Sequence, residues 1–372
     1  MTERLYLDFN ATAKIRPEVI DALGSAMAQV GNASSVHGAG RTARKDVEDA
    51  RRKVAALVGA APDQVVFTSG GTEADNQVMQ MCDPGRTFVS SIEHPAVLDA
   101  CPDAHRVPVT PDGVIDLKVL ETMLATAEAP QMVALMLANN ETGVLQPVAE
   151  AAEIAHRYGA LLHCDAVQAV GKIPVDFAAL GVDTMAMTGH KFGGPQGIGA
   201  LIVKSPDTVD CVMRGGGQER GLRGGTESVA HIVALGVAAE IAAERMDGYA
   251  ALADIRDRME ARLSQSTPGM RVFGGGAPRL PNTSKLMMPG VTSETQVMSF
   301  DLAGIEVSAG SACSAGRIEP PYVLTAMAVP DKEALCALRV SLGWDTTEAD
   351  IDRFIAEWAQ IYERAGGTRV AG

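Results

Sequence analysis

Four stretches of this sequence carry side chains able to do chemistry, and each follows a short run of apolar residues. Ser69-Gly70-Gly71-Thr72-Glu73 follows Val65–Thr68, and Asn139-Asn140-Glu141-Thr142-Gly143 follows Met132–Leu137. Asp165, with Gln168 three residues on, follows Leu161–Cys164, and Thr188-Gly189-His190-Lys191 follows Thr184–Met187. In an open parallel sheet, ligands bind beyond the carboxyl ends of the strands. Polar groups gathered at four successive strand ends therefore point to one shared pocket. The first stretch reads as an anion cradle: glycines let the backbone approach closely, and the free N–H groups of a helix start attract negative charge. An ordinary strand–helix turn would look the same in isolation. Neither G-x-x-x-x-G-K-[ST] nor G-x-G-x-x-G is present, which weighs against ATP and NAD.

Lys191 is the sharpest single residue, one of nine lysines in the chain. It stands in Gly189-His190-Lys191-Phe192-Gly193-Gly194-Pro195, between two buried-type strands. Most lysines are solvated surface charges. A lysine at the carboxyl end of a sheet, near a phosphate cradle, suits a Schiff base with an aldehyde cofactor. Pyridoxal phosphate needs such a lysine, a phosphate site, and an acid that keeps its ring nitrogen protonated. Asp165, emerging from an apolar strand, can supply that acid; a helix N-cap is its plainer reading.

The elements that must hold these groups follow from periodicity. Pro17 opens a helix with Val19, Ile20, Leu23, Met27 and Val30 at three- and four-residue spacing, and Val47, Ala50, Val54 and Leu57 repeat it on the next. Wholly apolar strands, with Gly199–Val203 as a fifth, alternate with helical stretches such as Pro147–Tyr158, which indicates a mainly parallel sheet covered on both faces. Beyond about Ser228 the pattern changes. Helical Val229–Ala243 and Tyr249–Leu263 lead to shorter strand-like pieces and a last helix carrying Ile351, Phe354, Ile355, Trp358 and Ile361. The expected organisation is α/β, with a large cofactor-binding domain over 13–255 and a smaller α+β domain formed by 1–12 with 256–372.

Composition bounds the function. The chain has 372 residues, 47% hydrophobic and 21% charged, enough for two cored domains. A formal charge of −14 argues against nucleic-acid or anionic-membrane binding. Apolar runs are too short to span a bilayer and no secretory signal is visible, so a soluble, cytoplasmic protein is expected. The six cysteines, Cys82, Cys101, Cys164, Cys211, Cys313 and Cys336, form no C-x-x-C and no zinc-type spacing, so no metal site is expected. Most should be inert core thiols.

The chain resembles the cysteine desulfurases of the NifS/IscS group, pyridoxal-phosphate enzymes of the class V aminotransferase family, from about Tyr6 to about Ile361. Eight motifs in order carry the resemblance: Tyr6-Leu7-Asp8-Phe9-Asn10-Ala11-Thr12, Asn32-Ala33-Ser34-Ser35-Val36-His37, Phe67-Thr68-Ser69-Gly70-Gly71-Thr72-Glu73, Asn139-Asn140-Glu141-Thr142-Gly143, Gly189-His190-Lys191, Gly216-Gly217-Gln218-Glu219-Arg220, Gly310-Ser311-Ala312-Cys313-Ser314 and Leu338-Arg339-Val340-Ser341-Leu342-Gly343. It implies a fold-type I pyridoxal-phosphate enzyme that converts L-cysteine to L-alanine. Lys191 would hold the cofactor, Asp165 its ring nitrogen and Gln168 its ring oxygen. Gly71, Thr72, Thr188 and His190 would bind phosphate, and Thr226 would reach it from the neighbouring subunit of a homodimer. His94, in Ile92-Glu93-His94-Pro95, would stack on the ring and assist proton transfer, with Asn140 beside the ring oxygen and the substrate carboxylate.

Arg339 lies in an otherwise apolar strand-like run, where a planar guanidinium suits bidentate grip of a substrate carboxylate. A buried structural ion pair is its alternative. Cys313 would accept the sulfur as a persulfide. Its small neighbours, Gly310-Ser311-Ala312 and Ser314-Ala315-Gly316, have the composition of an exposed loop, whereas Cys164 and Cys336 suit a buried role. Sulfur would pass to a protein acceptor, a scaffold or carrier, for iron–sulfur cluster assembly or another sulfur-containing product. Two departures from the family pattern stand out: Gln196 replaces a common lysine, and the sequence ends soon after the Trp358 helix, which leaves the acceptor open. Selenocysteine lyase, or another aminotransferase-type reaction on the same cofactor, is the alternative activity.

Overall fold

The computed structural model describes residues 4–310 and 319–367. Seven strands form the large sheet, in the order Val65–Thr68, Gly199–Val203, Thr184–Thr188, Leu161–Asp165, Met132–Ala134, Thr87–Ser90 and His105–Val107. All neighbours are parallel except Gly199–Val203, which runs antiparallel to both of its partners. Every residue of Val65–Thr68, Met132–Ala134, Thr184–Thr188 and Gly199–Val203 is buried, as a sheet covered by helices on both faces requires. The sheet thus has the mainly parallel α/β character read from the sequence. The periodicity did not reveal Thr87–Ser90, whose two apolar residues are bounded by Thr87 and Ser90, or the three-residue His105–Val107, of which only Val107 is buried. Asp165 and Thr188 prove to be the last residues of their strands.

Gly199 lets one strand end turn tightly. A Cβ there would meet Met187 O at 2.5 Å and Gly70 Cα at 2.8 Å, so only glycine lets the Gly70 turn lie against the sheet.

A second core is built from both ends of the chain. Strand Leu5–Tyr6 pairs in parallel with Ile305–Glu306, and Leu5 and Leu7 join Phe300, Leu338, Val340, Phe354 and Trp358 in one apolar cluster. A three-stranded antiparallel sheet orders Ala337–Ser341, Thr283–Met287 and Arg271–Phe273. The helix Glu348–Arg364 buries Ile351, Phe354, Ile355, Trp358 and Ile361, the face expected from spacing. The helix Pro17–Met27 differs. Val19 is buried, but Ile20 and Met27 are exposed on this chain, because periodicity marks an apolar face without saying what covers it; Val30, expected on the same helix, lies beyond its end and is exposed as well. No helix among the described residues is long and apolar enough to cross a membrane.

Candidate active site

A cavity of about 620 Å³ opens at the carboxyl ends of the central strands. Ten of the residues singled out in the sequence line it: Gly71, Thr72, His94, Asn140, Asp165, Gln168, Thr188, His190, Lys191 and Arg339. Thr226 is exposed and does not line it. Cys313 lies outside the described residues. An adjoining hollow of about 320 Å³ is bounded by Ser69–Glu73, Thr188, His190 and Gln196, so the departure at Gln196 falls at this end of the site.

The helix Gly71–Met79 begins in that hollow with no side chain capping it. Its first N–H groups are therefore free to meet an anion. A Cβ on Gly71 would strike Val167 Cγ2 at 2.5 Å, so the close approach is specific to glycine. The Thr188 hydroxyl donates to Ile198 O at 3.2 Å, and His190 Nδ1 lies 3.2 Å from Thr12 Oγ1. Burial, the largest cause, with Lys191 next, pushes His190 down to about 4, so its ring is neutral.

Lys191 Nζ donates to two backbone carbonyls, Asn10 O at 2.6 Å and Ala11 O at 2.8 Å. Burial and the neighbouring Arg339 lower this amine to about 8, against the opposing pull of Asp165 and Asp8. Asp165 is buried and its Oδ1 accepts from Val167 N at 2.9 Å, a local turn rather than a helix cap. Burial, then the Asp75 carboxyl, raise Asp165 to about 7. Beneath it, His163 bridges Asp75 Oδ1 (3.1 Å) and Thr184 Oγ1 (2.9 Å). Burial raises Asp75 to about 8 and lowers His163 to about 4, so the His163 ring is neutral. His94 caps the short helix Pro95–Leu98, its Nδ1 accepting from Ala96 N at 3.1 Å. The neutral ring consequently carries its proton on Nε2.

Arg339 is buried and pairs with Asp8 Oδ1 at 2.7 Å, while its Nη1 donates to Asn140 O at 3.1 Å. Glu141 Oε1 lies 3.6 Å from the same guanidinium. Both readings of Arg339 thus hold at once: it is ion-paired, and it faces the cavity. Its Nε and the Oδ1 of Asn140 are buried without a partner among the described residues. Glu141 in turn meets the fully buried Lys285 at 2.7 Å, and Lys285 also donates to Ala309 O at 3.0 Å. Burial alone would raise Glu141; Lys285 and Arg339 reverse this and hold it below the usual carboxylate range.

Sequence reasoning missed Asn10, Asp75, Lys172, Lys285 and Tyr322 as members of the site or its support. Asn10 stood inside a quoted motif, and Lys285 interrupts the buried strand Thr283–Met287, which was the available signal. Cys164 and Cys336 are buried, and burial pushes both thiols above their ordinary value. Among the described residues, no group of three or more His, Cys, Asp or Glu side chains is placed to hold a metal ion.

The profile of the family described as Aminotransferase class-V matches residues 5–354. A cysteine desulfurase of Cereibacter sphaeroides is 43% identical over 368 residues, 95% of this chain and 94% of that protein. The X-ray structure of a NifS-like protein from Rickettsia africae superposes with a TM-score of 0.91 at 35% identity, over 97% of this chain and 100% of the other. A structure of SspA in complex with cysteine, 27% identical, superposes with a TM-score of 0.78 over 91% of this chain and 98% of that one.

Proposed function

The chain belongs to the class V aminotransferase family, and from that membership we propose that it is a pyridoxal-phosphate-dependent cysteine desulfurase. It converts L-cysteine to L-alanine and leaves the sulfur as a persulfide on Cys313. One observation carries this reading: a partly buried amine, a buried carboxyl and an uncapped helix start meet in one cavity. The fit to pyridoxal phosphate rests on that donor set and on the uncapped start of the helix Gly71–Met79, where only glycine clears Val167.

Lys191 would hold the cofactor covalently, and its lowered basicity keeps a useful fraction of the amine neutral at physiological pH. Asp165 would face the ring nitrogen; a cationic partner there favours the carboxylate, reversing the effect of burial. Gln168 would face the ring oxygen, and His94 would stack on the ring and present the Nε2 proton. Gly71, Thr72, Thr188 and His190 would hold the phosphate. When bound, pyridoxal phosphate supplies an electron sink for bonds at the substrate's α- and β-carbons. Arg339, whose buried Nε has no partner among the described residues, would hold the substrate carboxylate, with Asn140 beside it. In the net reaction the substrate C–S bond breaks, an S–S bond forms to Cys313 Sγ, and the thiol hydrogens redistribute to give alanine and R–S–SH.

The same reading includes a homodimer in which Thr226 completes the neighbouring phosphate site. Its exposure, and that of Ile20, Met27 and Val30, support this. It also includes the division into residues 13–255 and 1–12 with 256–372, a cytoplasmic location, and a protein acceptor serving iron–sulfur cluster or other sulfur-containing products. The test is to mix the loaded protein with L-cysteine and measure alanine together with the mass of the Cys313 peptide. A gain of one sulfur is expected. If Cys313→Ala keeps the cofactor colour and releases sulfur at the parent rate, the reading is wrong.

A further inference from the structure

Lys172 and Lys285 are the fully buried lysines among the described residues. Lys285 faces a carboxylate, but Lys172 does not. Its Nζ donates to Asn10 Oδ1 and to Gln168 Oε1, each at 2.7 Å, and no ion pair reaches it among the described residues. Two neutral acceptors match the two N–H groups of an uncharged amine. Burial, with Lys191 and Arg339 nearby, does push this amine well below its ordinary value. Lys172 does not line the cavity, whereas Gln168 does.

We propose that Lys172 is a positioning residue that fixes which end of the Gln168 amide faces the ring-binding cavity. The inference rests on reading that cavity as a pyridoxal-phosphate site. Asn10 does not need Lys172 to hold its own amide. Its Nδ2 donates to Thr283 Oγ1 at 2.9 Å and to Asn140 O at 3.2 Å, and its Oδ1 also accepts from Asn282 Nδ2 at 3.1 Å. Gln168 is different, because Lys172 is the one donor to its Oε1 among the described residues. Its Nε2 donates to Asn10 O at 3.0 Å. Turning the amide over would set Oε1 against the Asn10 carbonyl, oxygen against oxygen. With Oε1 held by Lys172, the second Nε2 hydrogen is the amide group left for the cavity. The site therefore offers a donor, which selects a cofactor oxygen carrying negative charge over a hydroxyl seeking an acceptor.

The experiment is a double-mutant cycle on the loaded protein, reading how fast pyridoxal phosphate leaves on dilution. Lys172→Met and Gln168→Leu are each expected to speed the loss about tenfold, the scale of one hydrogen bond. The double variant should lose cofactor no faster than Gln168→Leu alone, since Lys172 acts through that amide. Unchanged loss in Lys172→Met overturns the inference, and so do effects that multiply to about a hundredfold, as a merely structural role would give. If Lys172→Met does not fold, an atomic-resolution crystal structure of the parent protein decides: Oε1 must point to Lys172, and the opposite orientation refutes it. A parent protein that binds no pyridoxal phosphate defeats the functional reading instead, and the amide orientation still judges Lys172.

Discussion

Glu141→Gln leaves the shape of the site intact but strands the buried ammonium of Lys285, 2.7 Å away. Both side chains are almost wholly shielded from water, so the remaining charge cannot be rescued by solvent. Breaking such a pair from one side costs about 3–5 kcal/mol. For a chain of this length the unfolding entropy is about 0.8 kcal/mol per kelvin, so the melting temperature should fall by roughly 4–6 °C. Adding Lys285→Met removes the orphaned charge and should restore most of the loss. About 1 kcal/mol is withheld because the Ala309 carbonyl loses its donor. Thermal melts of the parent, the single and the double variant at pH 7.5 make the comparison. The pH dependence adds a sign. Glu141 sits below its ordinary value, so its contribution is complete above the usual carboxylate pKa and disappears as pH falls through the lowered one. The gap between parent and Glu141→Gln should therefore close in acid. A single variant melting within a degree of the parent, or a double variant less stable than the single, would refute the argument.

Two further outcomes concern the cavity itself. Capture of pyridoxal phosphate by cofactor-free protein, followed by its visible absorbance, should rise about tenfold per pH unit and level off near pH 8, where Lys191 loses its proton. A rise that continues past pH 10 would mean an ordinary lysine. Arg339→Lys keeps the charge but loses the planar fork, so KM for L-cysteine should rise about 10- to 100-fold with a smaller change in kcat; an unchanged KM would remove Arg339 from substrate binding.

How much of this was legible in advance depended on whether the relevant physics is local. Apolar runs and their small or polar sequels are local, so the sequence alone determined the mainly parallel sheet and the polar groups at its strand ends. It also marked the start of the helix Gly71–Met79 and the buried face of Glu348–Arg364. Motif order added Arg339 and His94. The tertiary structure decided the rest. Leu5 and Leu7 belong to the same core as Trp358, a pairing with no trace in either segment. Ile20 and Met27 keep the period of a buried face yet stand exposed, since amphipathicity encodes a face and not its cover. Most telling are the charges. Lys285 meets Glu141 across 144 positions, and Lys172 meets Asn10 across 162. A lysine's burial turns on whether a distant segment brings an acceptor to its tip, because an unpartnered polar group away from water is too costly to keep. Only the folded chain supplies that acceptor.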